Sequence, residues 1–403
     1  MDVTAKPRLK ITDLKTTPLS IPFTRPTHWP YGVLAGVTSI LVEVETDGGI
    51  TGLGESICLQ DPAESTELHI AACRHLLVGE DPFDTERLER KLIGYGGWIF
   101  SPQGFGYTIG GIDMALWDIK AKACGLPLYK LLGGAIRRQI PFMKYLHHDA
   151  PDKMAEEATA AVADGYQTLY FKYTTVEELE SALRTVRSTV GPKPGLWVDF
   201  NQTLSPGFAV RLMPLLEDLG VTIVEQPVLA RDLDGMIYVK NSTKIQILSH
   251  ESSWTVADVF DVAARRAADI VSIEPRMSGS IQSAKKAAGI CEAVGLPVLM
   301  HSVGELGVAQ AAYLHVIAST PNFIVANQTM YDWLDDDIIV GGKFPFVNGC
   351  QSVPEGPGLG VQLDPDKVAF YSDNYRRAGK YSYFGGLLNR GEAQLPVPLL
   401  PSY

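Results

Sequence analysis

The 403-residue sequence contains no run of about eighteen apolar residues, so it offers no candidate membrane-spanning helix. Its opening, MDVTAKPRLKITDLK, lacks the apolar core and small-residue cleavage site of a secretory signal. Cysteine is scarce. Cys58, Cys73, Cys124, Cys291 and Cys350 lie far apart, are odd in number and form no Cys-x-x-Cys pair. A disulfide framework is thereby disfavoured, and a reducing cytoplasmic setting is expected. Positive charge is in deficit, with 35 Lys and Arg against 46 Asp and Glu and a net charge of −11. Nucleic acid and anionic membranes are therefore poor general partners. An anionic small substrate is not excluded, because a metal ion and a lysine can reverse the field inside one pocket. Low-complexity segments and internal repeats are also missing, as is a glycine fingerprint after the first strand-like run, which a doubly wound sheet usually carries.

What is present is ample core material, 46% hydrophobic residues over a length that suits about two or three domains. Residues 8–60 alternate apolar and polar positions around the turn Asp47-Gly48-Gly49, as paired strands do. Between the two strand-like runs lies FTRPTHWPYG, too irregular for a helix or a strand. Residues 63–135 follow helical spacing, most clearly where Ile112, Ala115, Leu116 and Ile119 share one face and Gly125 and Pro127 stop the helix. From about residue 139 a strand-then-helix rhythm takes over. Its eight apolar runs are 140–146, 167–173, 195–201, 221–227, 245–251, 269–275, 296–302 and 322–328. Eight such units predict a closed parallel barrel. The last forty residues fall outside that rhythm and are expected to pack back on the first domain.

Polar residues recur where these strands end, at the face on which a barrel builds its active site. They are Lys172, Asp199, Glu225, Glu251, Glu274, His301 and Asn327, spaced by 27, 26, 26, 23, 27 and 26 residues. One strand, one helix and two short loops need roughly 25 residues, so each sits at the same height in successive units. Asp199, Glu225 and Glu251 on adjacent strands would repel one another without a cation, and hard oxygen ligands suit Mg²⁺. The alternative for any one of them is a helix cap or an ion pair, and His250 competes with Glu251 for the inward position. Asn201 shares the face of Asp199 and could orient a ligand. Tyr170 and Lys172 share the barrel-facing side of their strand. Near a cation the ammonium form of Lys172 is disfavoured, so a neutral amine base is expected there unless the lysine is a structural partner of a carboxylate. Glu274 can accept a hydrogen bond from His301 and raise its basicity. Two bases around a metal predict removal of the proton beside a substrate carboxylate, with the enediolate held electrostatically.

These residues resemble the enolase superfamily, in its mandelate racemase-like branch. The resemblance rests on ALWDIKAKACGLPLYKLLGG, VDFNQ, IVEQP, Glu251, His301 and PEGPGLGVQLD. It implies an α/β fold, a (β/α)₇β barrel over residues 137–360 under an α+β capping domain of residues 1–136, completed by the tail 361–403. It further implies Mg²⁺ on Asp199, Glu225 and Glu251, acid–base work by Lys172 and a Glu274–His301 dyad, and a symmetric homo-oligomer. Capping loops set specificity in the family, which brings in His28, Trp29 and the segment after Gly54, with Tyr170, Asn201 and Asn327 as further substrate contacts. Three positions depart from the pattern: Tyr170 stands where a lysine is usual, Glu274 replaces an aspartate, and Asn327 replaces a glutamate. The combination of lysine and histidine resembles the acid-sugar dehydratases, a lyase activity on aldonates or aldarates. Racemisation, epimerisation or cycloisomerisation of a related carboxylate is the alternative, and a non-catalytic binding barrel or a metal-dependent aldolase are the further ones.

Overall fold

The computed structural model describes residues 9–29, 32–58, 63–97, 102–172 and 175–381. Strands β1 (Ile11–Trp29), β2 (Gly32–Thr46) and β3 (Thr51–Ile57) form an antiparallel sheet in that order. The segment expected to be irregular instead continues β1 as far as Trp29, after a register shift between Pro22 and Thr27. Pro22 and Pro26 have no N–H to give a ladder, and an irregularity between them lets pairing resume beyond. Tyr31 and the side chains of His28 and Trp29 lie outside the described residues.

The helix Pro102–Cys124 lies across this sheet and buries Ile112, Ala115, Leu116 and Ile119 against Ile40, Val42 and Val44. The approach is close at Gly54, where an added Cβ would stand 1.8 Å from the carbonyl oxygen of Gly111. Helix Pro365–Ala378 returns to the same sheet. Asn374 Nδ2 donates to the Ser20 carbonyl at 2.7 Å, and the Ser20 hydroxyl donates to the Gly379 carbonyl at 2.9 Å.

A short ladder joins β4 (Gln139–Pro141) to β12 (Cys350–Ser352). Between them in sequence runs the parallel sheet of β5 (Lys144–Tyr145), β6 (Thr168–Lys172), β7 (Gly195–Asp199), β8 (Val221–Glu225), β9 (Gln246–Ser249), β10 (Ile270–Ile273) and β11 (Val298–Met300), neighbours in chain order. The eighth expected run, 322–328, forms no named strand. It closes the ring through bridges from Phe323 to Val298 and from Asn327 to Phe142. The first bridge meets β11, and the second meets Phe142 in the link between β4 and β5. Trp197, Phe171 and Phe200 fill the core on and around the strands, and every residue of helix Gly307–Ala318 is buried. Among the described residues no helix is long and apolar enough to cross a membrane.

Candidate active site

The parallel register sets the first three polar residues side by side, since Lys172 pairs with Asp199 and Asp199 with Glu225. The next step differs from the even spacing in the sequence. Glu225 pairs with Leu248, and β9 ends at Ser249. Residues two apart share a face, so His250 follows Leu248 inward, and Glu251 reaches the site from the turn. Both competitors for the inward position therefore arrive. His250 Nδ1 stands 3.2 Å from Glu225 Oε1 and 3.2 Å from Glu251 Oε2.

Asp199 is engaged at both oxygens. Its Oδ2 accepts from the Lys172 ammonium and from the Tyr170 hydroxyl at 2.6 Å, and its Oδ1 accepts from the Asn201 amide at 2.7 Å. Asn201 leaves β7 with φ 43°, a left-handed conformation that costs a non-glycine residue energy and re-aims its side chain. Its Oδ1 accepts from Lys172 at 2.6 Å and its Nδ2 donates to Glu251 Oε1 at 3.2 Å. Burial opposes the charge on Lys172, but the adjoining Asp199 carboxylate outweighs it and holds the pKa above the ordinary lysine value. These contacts are those of the alternative the sequence left open, a lysine partnered with a carboxylate. Burial likewise opposes a charge on His250, yet Glu251 and Glu225 push its pKa up to about 10.

The expected Glu274–His301 dyad is not made among the described residues. Glu274 Oε1 accepts from Arg276 Nε at 2.6 Å and from the Tyr313 hydroxyl. Arg276 is fully buried, and a buried cation draws the nearby carboxylate more strongly than a neutral imidazole can. Arg276 also donates to Glu55 Oε1 of the cap at 3.3 Å and to the Gly304 carbonyl at 3.2 Å. Glu55 in turn accepts from the backbone amides of Leu306 and Ala309. This joint between cap and barrel was absent from the sequence reading, as was Gln328, whose Nε2 donates to Glu225 Oε2 at 2.7 Å. Asn327, expected at the substrate, spends its Oδ1 on the Met300 amide and its Nδ2 on the Pro141 carbonyl. The period-2 alternation of the closing segment turns Gln328 to the site and Asn327 to the backbone.

His301 leaves the end of β11 and stacks on His250 with ring centroids 3.7 Å apart. Burial holds its pKa well below the usual histidine value, and the charges of His250, Lys172 and Arg276 add to the effect. Lys172, Asn201, His250, Glu251 and His301 line a cavity of about 150 Å³ together with Leu34, Tyr145, Tyr170, Trp254, Ser302, Val303 and Met330. A wider hollow of about 420 Å³ shares Lys172 and is bounded by His148, Met154 and Glu178. Glu225 Oε1, Glu251 Oε2, both ring nitrogens of His250 and His301 Nδ1 are buried without a hydrogen-bond partner. The charge of Glu225 and Glu251 is met by the His250 imidazolium 3.2 Å from each, and buried carboxylates that hold one cation are the donors a divalent ion would use. The third expected oxygen donor, Asp199, accepts two hydrogen bonds at Oδ2 and one at Oδ1, which keeps a lone pair.

A capped parallel barrel with acidic and basic groups at its strand ends defines the enolase type of acid–base enzyme. The chain belongs to the mandelate racemase/muconate lactonizing enzyme branch of that superfamily. Residues 11–133 match the family's mandelate racemase/muconate lactonizing enzyme N-terminal domain, and residues 153–367 its enolase C-terminal domain-like region. The chain is 30% identical to the L-Ala-D/L-Glu epimerase of Bacillus subtilis, over 88% of this chain and 97% of the relative. It is 29% identical to the chloromuconate cycloisomerase of Cupriavidus pinatubonensis, over 82% and 90%. A solved dipeptide epimerase from Enterococcus faecalis, complexed with Mg and the dipeptide L-Leu-L-Tyr, superposes with a TM-score of 0.80 at 26% identity, covering 88% of this chain and 99% of that one. These relatives are isomerases, which overturns the expectation of a lyase that dehydrates acid sugars. Two features of the site agree with the correction. Among the described residues the histidine dyad on which dehydration rested is not formed, and Leu34, Trp254, Val303 and Met330 give the cavity a partly apolar lining.

Proposed function

We propose that the protein is an isomerase that removes and returns the proton beside a substrate carboxylate, racemising or epimerising that carbon. The observation that carries this reading is that Lys172 and His301 line the same cavity from strands far apart in the ring, β6 and β11. Their protonation states are complementary: an ammonium on one side and a neutral imidazole with an unpartnered buried Nδ1 on the other. Groups whose surroundings push their pKa values apart divide acid and base roles between them. His301 takes the α-proton at Nδ1, and Lys172 Nζ delivers one to the opposite side of the planar intermediate, inverting the centre. In the reverse direction the roles exchange. Asn201 holds Lys172 in place through its Oδ1. A divalent cation held by Glu225 and Glu251, Mg²⁺ in the family, would bind the substrate carboxylate and stabilise the negative charge that develops there.

The apolar side chains Leu34, Trp254, Val303 and Met330 in the lining support a substrate with an apolar or amide-bearing body, such as a dipeptide or an N-acylated amino acid. The adjoining 420 Å³ hollow has room for the remainder of such a molecule. The test is incubation with a panel of dipeptides and N-acyl amino acids in D₂O, following α-proton loss and inversion by NMR. Exchange with inversion is expected, falling about 10²–10⁴-fold in Lys172→Ala and in His301→Asn. No exchange on any member of the panel, together with turnover of a muconate, would replace this reading with cycloisomerisation.

A further inference from the structure

Between His301 and the helix Gly307–Ala318 the chain runs through residues 302–306 without regular structure, and every one of them is buried. A buried irregular segment cannot give its backbone to water, so its order depends on the groups that reach in to meet it. Those groups come from three directions. Arg276, just after β10, donates through Nη2 to the Gly304 carbonyl at 3.2 Å. Glu55, on cap strand β3, accepts from the Leu306 amide at 2.9 Å through Oε1 and from the Ala309 amide at 3.0 Å through Oε2. Glu305, inside the segment, accepts from the hydroxyls of Ser302 and Thr329 at 2.6 Å each. On its strand side His301 is already fixed, because its amide donates to the Ile273 carbonyl at 3.0 Å. What the segment 302–306 does therefore decides the rest of its setting.

Glu55 does more here than cap a helix. Its Oε1 also accepts from Arg276 Nη1 at 3.3 Å and from the Ser39 hydroxyl of β2 at 3.0 Å, so the cap sheet holds the guanidinium that holds Gly304. Glu55 is 0% exposed and lines neither the catalytic cavity nor the hollow beside it. We infer that Glu55 is a positioning residue for His301: from the cap, and through Arg276, it sets the segment that leaves the base and so the aim of the imidazole at the α-carbon. The inference rests on the isomerase reading above and adds to it a residue that never touches the substrate. A base displaced by about 1 Å loses on the order of 10²-fold in rate, so a contact this far from the chemistry is enough to matter.

The test compares the two faces of the substrate carbon. His301→Asn identifies the enantiomer that His301 serves, as the one whose α-proton no longer exchanges in D₂O. In Glu55→Gln, an isostere without the charge, kcat for that exchange should fall about 10–100-fold with KM changed by less than about threefold. Exchange of the opposite enantiomer through Lys172 should stay within about threefold of wild type, which a general loss of structure would not allow. Glu55→Asp keeps the charge one methylene shorter and should show the same one-sided loss at smaller size, and circular dichroism with a melting curve confirms that each variant folds. A readout without turnover is NMR of the full chain labelled with ¹³C at histidine Cε1, where the His301 signal is the one absent from His301→Asn. That signal should shift in Glu55→Gln while the signal of the exposed His75 does not. Equal slowing of both enantiomers, unchanged exchange, or an unmoved His301 signal overturns the inference. A wild type that exchanges neither enantiomer of any member of the panel overturns the isomerase reading instead, and the His301 signal then still decides the positioning.

Discussion

Arg276 offers a measurable consequence of the buried joint between cap and barrel. Its guanidinium is 0% exposed and faces Glu274 at 2.6 Å, Glu55 at 3.3 Å and Glu305 at 4.0 Å, all of them carboxylates with 0–1% exposure. Arg276→Met keeps much of the volume and removes the only cation in this group of contacts. Breaking a buried pair from one side leaves uncompensated charge and costs about 3–5 kcal/mol. The exposed pair of Arg376 with Asp373 provides the control, since Arg376→Ala should change stability by less than about 1 kcal/mol. Urea unfolding followed by fluorescence and circular dichroism together measures both, and coincidence of the two probes checks for a single transition. The loss should also depend on pH. Arg276 lowers the pKa values of Glu274 and Glu305, both of which burial raises, so its removal lifts them further. A carboxyl raised on folding stabilises the fold below its unfolded pKa and loses that contribution as pH rises through the folded value. The destabilisation is therefore larger at pH 8 than at pH 5.5. A loss below about 1 kcal/mol, or one equal at the two pH values, would refute the argument.

The wild-type protein carries a related pH dependence, because burial pushes Glu305 up to about 7 and Asp337 up to about 6. The melting temperature should fall as pH rises from about 5 to 7.5 through this pair, and a flat profile would contradict the burial argument. Gly54→Ala drives a methyl into the Gly111 carbonyl and should cost about 1–3 kcal/mol in urea unfolding, as overpacking does. Trp197→Ala removes a fully buried ring from β7 and should cost about 3–5 kcal/mol by the same measurement.

The barrel was legible because a parallel strand and its crossover helix need a fixed length of chain. Lys172, Asp199 and Glu225, spaced by 27 and 26 residues, became neighbours in one register. The same spacing misled at Glu251. Constant chain length does not reveal where β9 stops, and its end at Ser249 lets His250 in beside Glu251. Asn327 keeps the even spacing, yet Gln328 reaches Glu225, since a one-residue difference in a strand reverses which side chain faces inward.

Alternation, helical spacing and the repeat of strand and helix are local properties, so the sequence by itself determined the capped barrel and the strand ends that carry its polar residues. Which partner each polar group takes is a contest among groups far apart in the chain, and only the tertiary structure decided it. Arg276 and Tyr313 captured Glu274 and left His301 stacked on His250. Asp199 was taken by Lys172, Tyr170 and Asn201, while Glu225 and Glu251 share the His250 imidazolium. Burial makes every one of those pairings count, because a charge removed from water must find its partner within a few ångströms.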